Sequence, residues 1–503
     1  MVSLLDPVRL RADAAPGSVA VRDAGEHVSY EGLLESSLRF ASILDAQGVA
    51  AGERVVLIAP SVPAYVVAYL GIQAAGCVVV PMNTMSTSEE VSYVVRDAQA
   101  SLIIAWHEAS VSARKAADTH RLPVVTLVHG MWEDLPLAPP TDRDPDDTAA
   151  ILYTSGTTGR PKGAELTVAN ILSAAQISVE CSHGTADDRI GTGLPLFHIF
   201  GQISVMMASL TAGSSLCLVA PFSPEAMIDA IRTHRLTIVA GVPTMWNAML
   251  RSSRGEEGSG FGSIRLAVSG GAPLPTPVAH AFESRFGCEL LEGYGLTETT
   301  SQGTFNDQGG IRKSGSAGRP VPRTSVEVRC EKGLPLGPGD VGEIHISGPS
   351  VMKGYWRRPE ATAQALSDGW LRTGDLGMVD QDGDLFIVDR LKDLIIRGGY
   401  NVYPGEVEEI LYEHPHIVEA AVVGVPDEHY GQEVAAAIVL DQSASVTGPE
   451  ITEWARERMS AYKIPRLVRF VESLPKGPSG KILKRTIDTD RFRQPASPPE
   501  QAP

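Results

Sequence analysis

The chain has 503 residues, 43% hydrophobic and 20% charged, a composition that suits a folded globular protein of several structural units. A formal net charge of -17 excludes a protein that grips nucleic acid through a general basic footprint. Five scattered cysteines (Cys77, Cys181, Cys217, Cys288 and Cys330), with no C-x-x-C pair, fit a reducing compartment and exclude a disulfide framework or a zinc site.

The first residues, Met1 to Asp6, lack the basic start of a signal peptide, so a cytoplasmic location is expected. Residues 16–60 predict a strand pair, a helix over 30–44 and a strand over 54–59. The apolar run 64–80 is interrupted by Gly71, Gln73 and Gly76 and ended by Pro81. It is short of the ~20 residues a membrane span needs and predicts a helix followed by a buried strand. Further strands are expected at 101–105, 124–128, 215–219, 237–240, 266–269 and 289–292, with helices at 164–179 and 276–285. Residues 131–147 are acidic and proline-rich, a surface connection. Such alternation predicts an α/β protein with layers of largely parallel sheet. After residue 320, short strands with Gly/Asp/Pro turns (325–330, 342–347, 377–379, 385–388) predict a small β-rich subdomain. A compact α+β segment follows to about residue 491, and the tail beyond is too polar to build a core.

Several stretches carry chemistry. Residues 149–152, AAIL, read as the end of a buried strand that feeds Tyr153 to Gly163, YTSGTTGRPKG. Glycines let backbone N–H groups approach an anion, hydroxyls donate, and Lys162 adds charge, so this is a place to hold phosphate. It is not a Walker loop, because Pro161 precedes Lys162 and Gly163 follows it. The stretch Pro195 to Gly201, PLFHIFG, sets His198 in an apolar run, where a lone histidine more often packs in a core than lines a site. At 242–250, VPTMWNAML places Trp246 either in a pocket or in a core. The glycines of SGGAPL, 269–274, leave a flat surface after a strand. In EGYGLTE, 292–298, an aromatic between glycines offers a stacking face, Thr297 can donate to phosphate, and Glu298 is a hard oxygen ligand suited to Mg²⁺. TGDLG, 373–377, sets a carboxylate in an expected tight turn, and a carboxylate can accept from two hydroxyls of a ribose at once. Residues 389–404 are a charged junction, a short apolar strand and a Gly-Gly turn. KGPSGKILK, 476–484, is a lysine-rich loop.

Taken in order, these motifs resemble those of the acyl-adenylate-forming enzymes, in particular the acyl-CoA synthetase and fatty-acid–CoA ligase branch, over essentially residues 10–490. The resemblance implies a large N-terminal domain (1–388, with 320–388 as its β-rich subdomain), a hinge at 389–393, a small mobile α+β C-terminal domain (394–491) and a disordered tail (492–503). It implies three small-molecule partners: a carboxylic acid, ATP with Mg²⁺, and coenzyme A. In the family pattern Thr154, Ser155, Gly156, Thr157, Thr158 and Lys162 hold phosphate. Gly271, Ala272, Pro273, Tyr294 and Gly295 surround adenine, Thr297 touches the α-phosphate, and Glu298 positions the metal. Asp375 and Arg390 hold the ribose. Lys481 bridges carboxylate and α-phosphate, Lys392 is the pivot, and Gly398 and Gly399 make room for a pantetheine arm. His198, Ile199, Phe200, Trp246 and Gly270 would line the acid pocket, with Trp246 as the gate seen in long-chain enzymes.

The expected activity is therefore AMP-forming ligation of a hydrophobic acid, a medium- or long-chain fatty acid, to coenzyme A. The alternatives are an aromatic or polycyclic biosynthetic acid, an acyl carrier protein thiol as acceptor, or a homologue that only binds nucleotide or runs only the thioester step. No nucleic acid and no integral membrane segment are expected, and the chain would act as a monomer or homodimer.

Overall fold

The computed structural model describes residues 2–493 apart from 24, 155–160, 253–259, 311, 392, 442, 443, 445, 478 and 479. Among the described residues, two sheets dominate the first part of the chain. A nine-stranded sheet has a parallel centre that runs Glu289–Tyr294, Leu266–Ser269, Ile238–Gly241, Arg189–Thr192, Ser215–Leu218 and Val19–Arg22. A seven-stranded sheet runs Gly354–Tyr355, Lys162–Thr167, Thr148–Thr154, Val78–Met82, Arg54–Ile58, Ala100–Trp106 and Val124–Leu127, parallel except at the Lys162 end. Helix Pro63–Ala74 is buried along its whole length. A helix apolar on every side is stable only when covered on every side, and one continuous core contains residues of this helix and of both sheets.

An antiparallel sheet follows, with strands Ser325–Arg329, Gly342–Ser347, Trp370–Val379, Leu366–Ser367 and Leu385–Arg390. Its own core is built on Ile344, Ile346, Val328 and Leu385. The last unit is a second five-stranded sheet, Tyr400–Val402, Ile395–Arg397, Gly431–Leu440, Ile417–Asp427 and Leu467–Phe470, with helices Pro404–Tyr412 and Gly448–Arg456. The fold class read from the alternation of strands and helices is the one observed. No helix among the described residues is long and apolar enough to cross a membrane.

Two local expectations are corrected. The helix expected from residue 164 begins at Val168, and Lys162–Thr167 is a strand. Residues 162–167 pair with Thr148–Thr154, and Thr167 and Asn170 close a capping box that starts the helix there. The strand expected over 377–379 runs from Trp370, so Asp375 lies within a strand rather than in a tight turn. Its pairing with Gly342–Ser347 shifts register between Glu343 and His345, and Gly374 at φ +72° absorbs the irregularity beside Asp375.

Candidate active site

The stem of the phosphate-loop hairpin is pinned at both ends. Thr154 and Lys162 are register partners across it, and the Tyr93 hydroxyl donates to the Pro161 carbonyl at 2.7 Å. Ser155, Gly156, Thr157 and Thr158 lie outside the described residues. Thr154 Oγ1 donates to Glu298 Oε1 at 3.3 Å, and the Tyr355 hydroxyl donates to the same oxygen at 2.9 Å. The Lys162 ammonium stands 4.7 Å from the centre of the Tyr355 ring, within cation–π range. Glu298 thus accepts from two hydroxyls on one oxygen and keeps a second carboxylate oxygen. A hard divalent cation fits that donor set, since Mg²⁺ takes one or two carboxylates and completes its shell with water and phosphate. The acidic cluster Asp380, Asp382 and Asp384 already converges on the Lys313 ammonium, which is 2.6 Å from Asp382.

The segment carrying Thr297 and Glu298 follows strand Glu289–Tyr294 and forms a single short turn, Thr297–Thr299. Gly295 is required there: a Cβ on it would meet the Ser301 carbonyl oxygen at 2.3 Å. Tyr294 is buried, and its hydroxyl donates to Asp375 Oδ2 at 2.7 Å, while Arg390 Nε stands 3.2 Å from Asp375 Oδ1. Burial and the Asp375 charge hold the Tyr294 phenol well above its ordinary pKa. Asp375 and Arg390 are themselves register partners on neighbouring strands. Gly271, Ala272 and Pro273 form the loop after strand Leu266–Ser269.

His198, Ile199 and Phe200 lead into a π-helical segment, Phe200–Met207. Such wide turns recur at functional sites because the extra residue re-aims side chains. With Gly270, Gly271, Gly293 and Gly295 these residues line a cavity of about 100 Å³. Burial, and then the charge of Lys481, push the His198 imidazole down to about 4, so it is neutral near pH 7.

That Lys481 acts on His198 places the lysine loop of the last unit at this site. Three further contacts dock the unit there: Thr244 Oγ1 donates to the Gly480 carbonyl at 3.1 Å, Asn247 Nδ2 to the Val418 carbonyl at 2.9 Å, and the Thr276 N–H to Glu409 Oε1 at 2.9 Å. Gly398 and Gly399, in contrast, sit on an exposed hairpin turn at φ +57° and +84°, beside Tyr430 and not in the cavity wall. Lys392 lies outside the described residues.

Trp246 does not line the cavity. It is fully buried in a second core, edge-on to Phe282 at 4.9 Å. Helix Pro243–Ser252 turns Met245, Trp246 and Met249 inward; Trp246 and Met249 join the second core with Phe282, and Met245 joins the main one. Sequence reading missed Tyr355, which a Gly-Tyr-Trp string after an apolar strand only hints at. It also missed Ser178, Ser204, Ser301 and Gln302, which line the cavity from separate elements.

Residues 8–356 match the family model described as AMP-binding enzyme, and residues 406–481 the one described as AMP-binding enzyme C-terminal domain. The chain is 40% identical over 487 residues to a feruloyl-CoA synthase of Amycolatopsis sp, covering 96% of this chain and 97% of that one. It is 36% identical over 516 residues to a long-chain-fatty-acid–CoA ligase of Bacillus subtilis, with 94% and 91% covered. The structure is similar to that of ATP-bound MatB from Rhodopseudomonas palustris, with a TM-score of 0.90, 33% identity, and 97% and 99% covered.

Proposed function

The chain belongs to the AMP-binding enzymes and is an ATP-dependent, AMP-forming acid–thiol ligase; from that premise we propose that its acid is an aryl carboxylic acid and its acceptor coenzyme A. The observation that carries the aryl reading is the cavity behind His198. At about 100 Å³ it is of the order of a cavity that takes one benzene ring (~150 Å³). Its glycines offer flat walls to a ring. With Trp246 packed in a core, the feature that pointed to a fatty acid is gone. The relative that shares 40% of its residues with this chain is named for an aryl acid, which supports the same choice over the fatty-acid expectation.

A carboxylate is a poor acyl donor because it would have to expel oxide. Attack of its oxygen on the α-phosphorus of ATP releases pyrophosphate and leaves a mixed anhydride with AMP, which a thiol can then open. Two anions meet in the first step, so positive charge must be concentrated there. On this reading Thr154 and Lys162 bind the phosphates, and Lys481 stands between carboxylate and α-phosphate. Asp375 and Arg390 bind the ribose, and Tyr294 packs on the adenine. Glu298 would hold the Mg²⁺, which supplies charge neutralisation at the phosphates. His198, uncharged, walls the acid pocket and does not compete with Lys481 for the carboxylate. Residues 1–388 are the adenylating domain and 389–393 the hinge. Residues 394–491 are the unit that brings Lys481 in for the first half-reaction and the Gly398–Gly399 turn in for the second.

The test is acid-dependent ATP–pyrophosphate exchange over hydroxycinnamic, benzoic, dicarboxylic and fatty acids, followed by thioester formation with coenzyme A. Aryl acids should give the highest rates, and Lys481→Ala should lose exchange while still passing a supplied acyl-AMP to the thiol. ADP as product would overturn the ligase reading. Highest rates with fatty acids would overturn the aryl one.

A further inference from the structure

The cavity is not uniformly apolar. One part of its wall carries four polar side chains from three separate elements: Ser178 of helix Val168–Cys181, Ser204 of the π-helical segment, and Ser301 and Gln302 just after the Thr297–Thr299 turn. They form one connected network. Gln302 Nε2 donates to Ser178 Oγ at 2.9 Å and to Ser204 Oγ at 3.0 Å. Ser178 Oγ in turn donates to the Ala174 carbonyl at 3.1 Å, and Ser204 Oγ to Ser301 Oγ at 3.0 Å. With the Ser178 hydrogen given to the Ala174 carbonyl, Ser178 accepts from Gln302, and the amide turns its NH₂ toward the two serines. Its Oε1 then points the other way, and among the described residues no donor is recorded on it. Gln302 is 5% exposed.

The backbone that presents this amide is held in place by its surroundings. Thr300 and Ser301 hold φ of +50° and +71°, a left-handed conformation that costs non-glycine residues energy and persists only where the surroundings enforce it. Here the Thr300 hydroxyl donates to the Ser350 carbonyl at 2.6 Å, and the Gln302 N–H donates to the Thr299 carbonyl at 2.9 Å. The Ser301 carbonyl fills the space a side chain on Gly295 would need.

Resting on the aryl-acid reading, we propose that Gln302 Oε1 accepts a hydrogen bond from a hydroxyl on the ring of the acid, so that the substrate class is a hydroxyaryl acid. An acid with only hydrocarbon at that point would strip water from the amide oxygen and leave it unpaired, and a site that hydrogen-bonds a substrate hydroxyl discriminates strongly against the analogue lacking it.

The experiment compares kcat/KM for cinnamate, its 2-, 3- and 4-hydroxy derivatives and octanoate, in the wild type and in Gln302→Leu. One hydroxylated isomer should exceed cinnamate by roughly tenfold or more in the wild type. In Gln302→Leu that ratio should collapse toward one; a residue that merely braced the fold would lower both acids by the same factor and leave the ratio unmoved. Equal use of cinnamate and all its hydroxy derivatives by the wild type, or a ratio unmoved by Gln302→Leu, overturns this inference and leaves the aryl reading standing. If octanoate alone is used, the aryl reading falls and takes this inference with it. Should Gln302→Leu fail to fold, the three isomers decide: an acceptor at one fixed point favours a single ring position, whereas equal rates for all three overturn it.

Discussion

Glu292 lies within strand Glu289–Tyr294, and its carboxylate is largely withdrawn from water. It accepts one hydrogen bond, from the Leu274 N–H at 3.2 Å, and faces the charge of Glu409 on the docked C-terminal unit. Burial first, and the Glu409 charge in support, raise it to about 8 against the Leu274 bond. A carboxyl whose folded pKa is raised binds more protons folded than unfolded between the two values. Stability from this group is therefore full near pH 4.5 and is lost as pH rises toward 8. At 1.36 kcal/mol per unit, the displacement from 4.5 to about 8 is worth on the order of 5 kcal/mol. Glu292→Gln keeps the acceptor for Leu274 and cannot ionise. The variant should match the wild type near pH 4.5, and its advantage should widen to pH 8 and then level off. The check is the difference in melting temperature between the two proteins across pH 4.5–9, in which other groups cancel. A few kcal/mol corresponds to several degrees. Glu409→Gln should narrow the gap from the wild-type side. Parallel pH profiles for Glu292→Gln and wild type would refute the reasoning, because they would mean that Glu292 ionises in place at an ordinary value.

Trp246→Ala should cost about 3–5 kcal/mol in stability, and Trp246→Phe distinctly less, because the indole Nε1 has no hydrogen-bond partner to lose among the described residues. Neither should change the acid profile in proteins that remain folded, and a shift in chain-length preference would return Trp246 to the pocket. His198, held near pH 4, should contribute no limb to the kcat/KM profile between pH 5.5 and 8. A limb near 6.5 that vanishes in His198→Gln would contradict its burial beside Lys481. Tyr355→Phe removes a charge-assisted bond of 2.9 Å to Glu298, and such bonds are worth about 1.5–3 kcal/mol. The concentration of Mg²⁺ needed for half-maximal ATP binding should rise roughly tenfold or more, with the fold intact by circular dichroism, and an unchanged Mg²⁺ dependence would show that the phenol does not position the carboxylate.

The fold class was legible because it depends on local pattern. The apolar run at 64–80 could be only a buried helix and a buried strand, and that is what Pro63–Ala74 and Val78–Met82 are. The start of the helix after the phosphate loop was not legible. Residues 164–167 are apolar enough for either state, and only pairing with Thr148–Thr154 makes them a strand. Asp375 and Arg390 stood out as charged residues in motifs, but that they share a register position on adjacent strands follows from a sheet that no short window contains.

The order of glycines, hydroxyls, lysines and acids along the chain determined by itself the family and the chemistry, because phosphate, ribose and metal each demand particular donor types at short spacing. Tertiary structure alone decided what lines the pocket. Trp246 was packed in a core against Phe282, Gln302 was oriented by serines 124 and 98 residues away, and the glycines of two segments became one wall. Such choices depend on which side of a helix or strand meets its neighbour, and the side is set by packing between segments far apart in the chain.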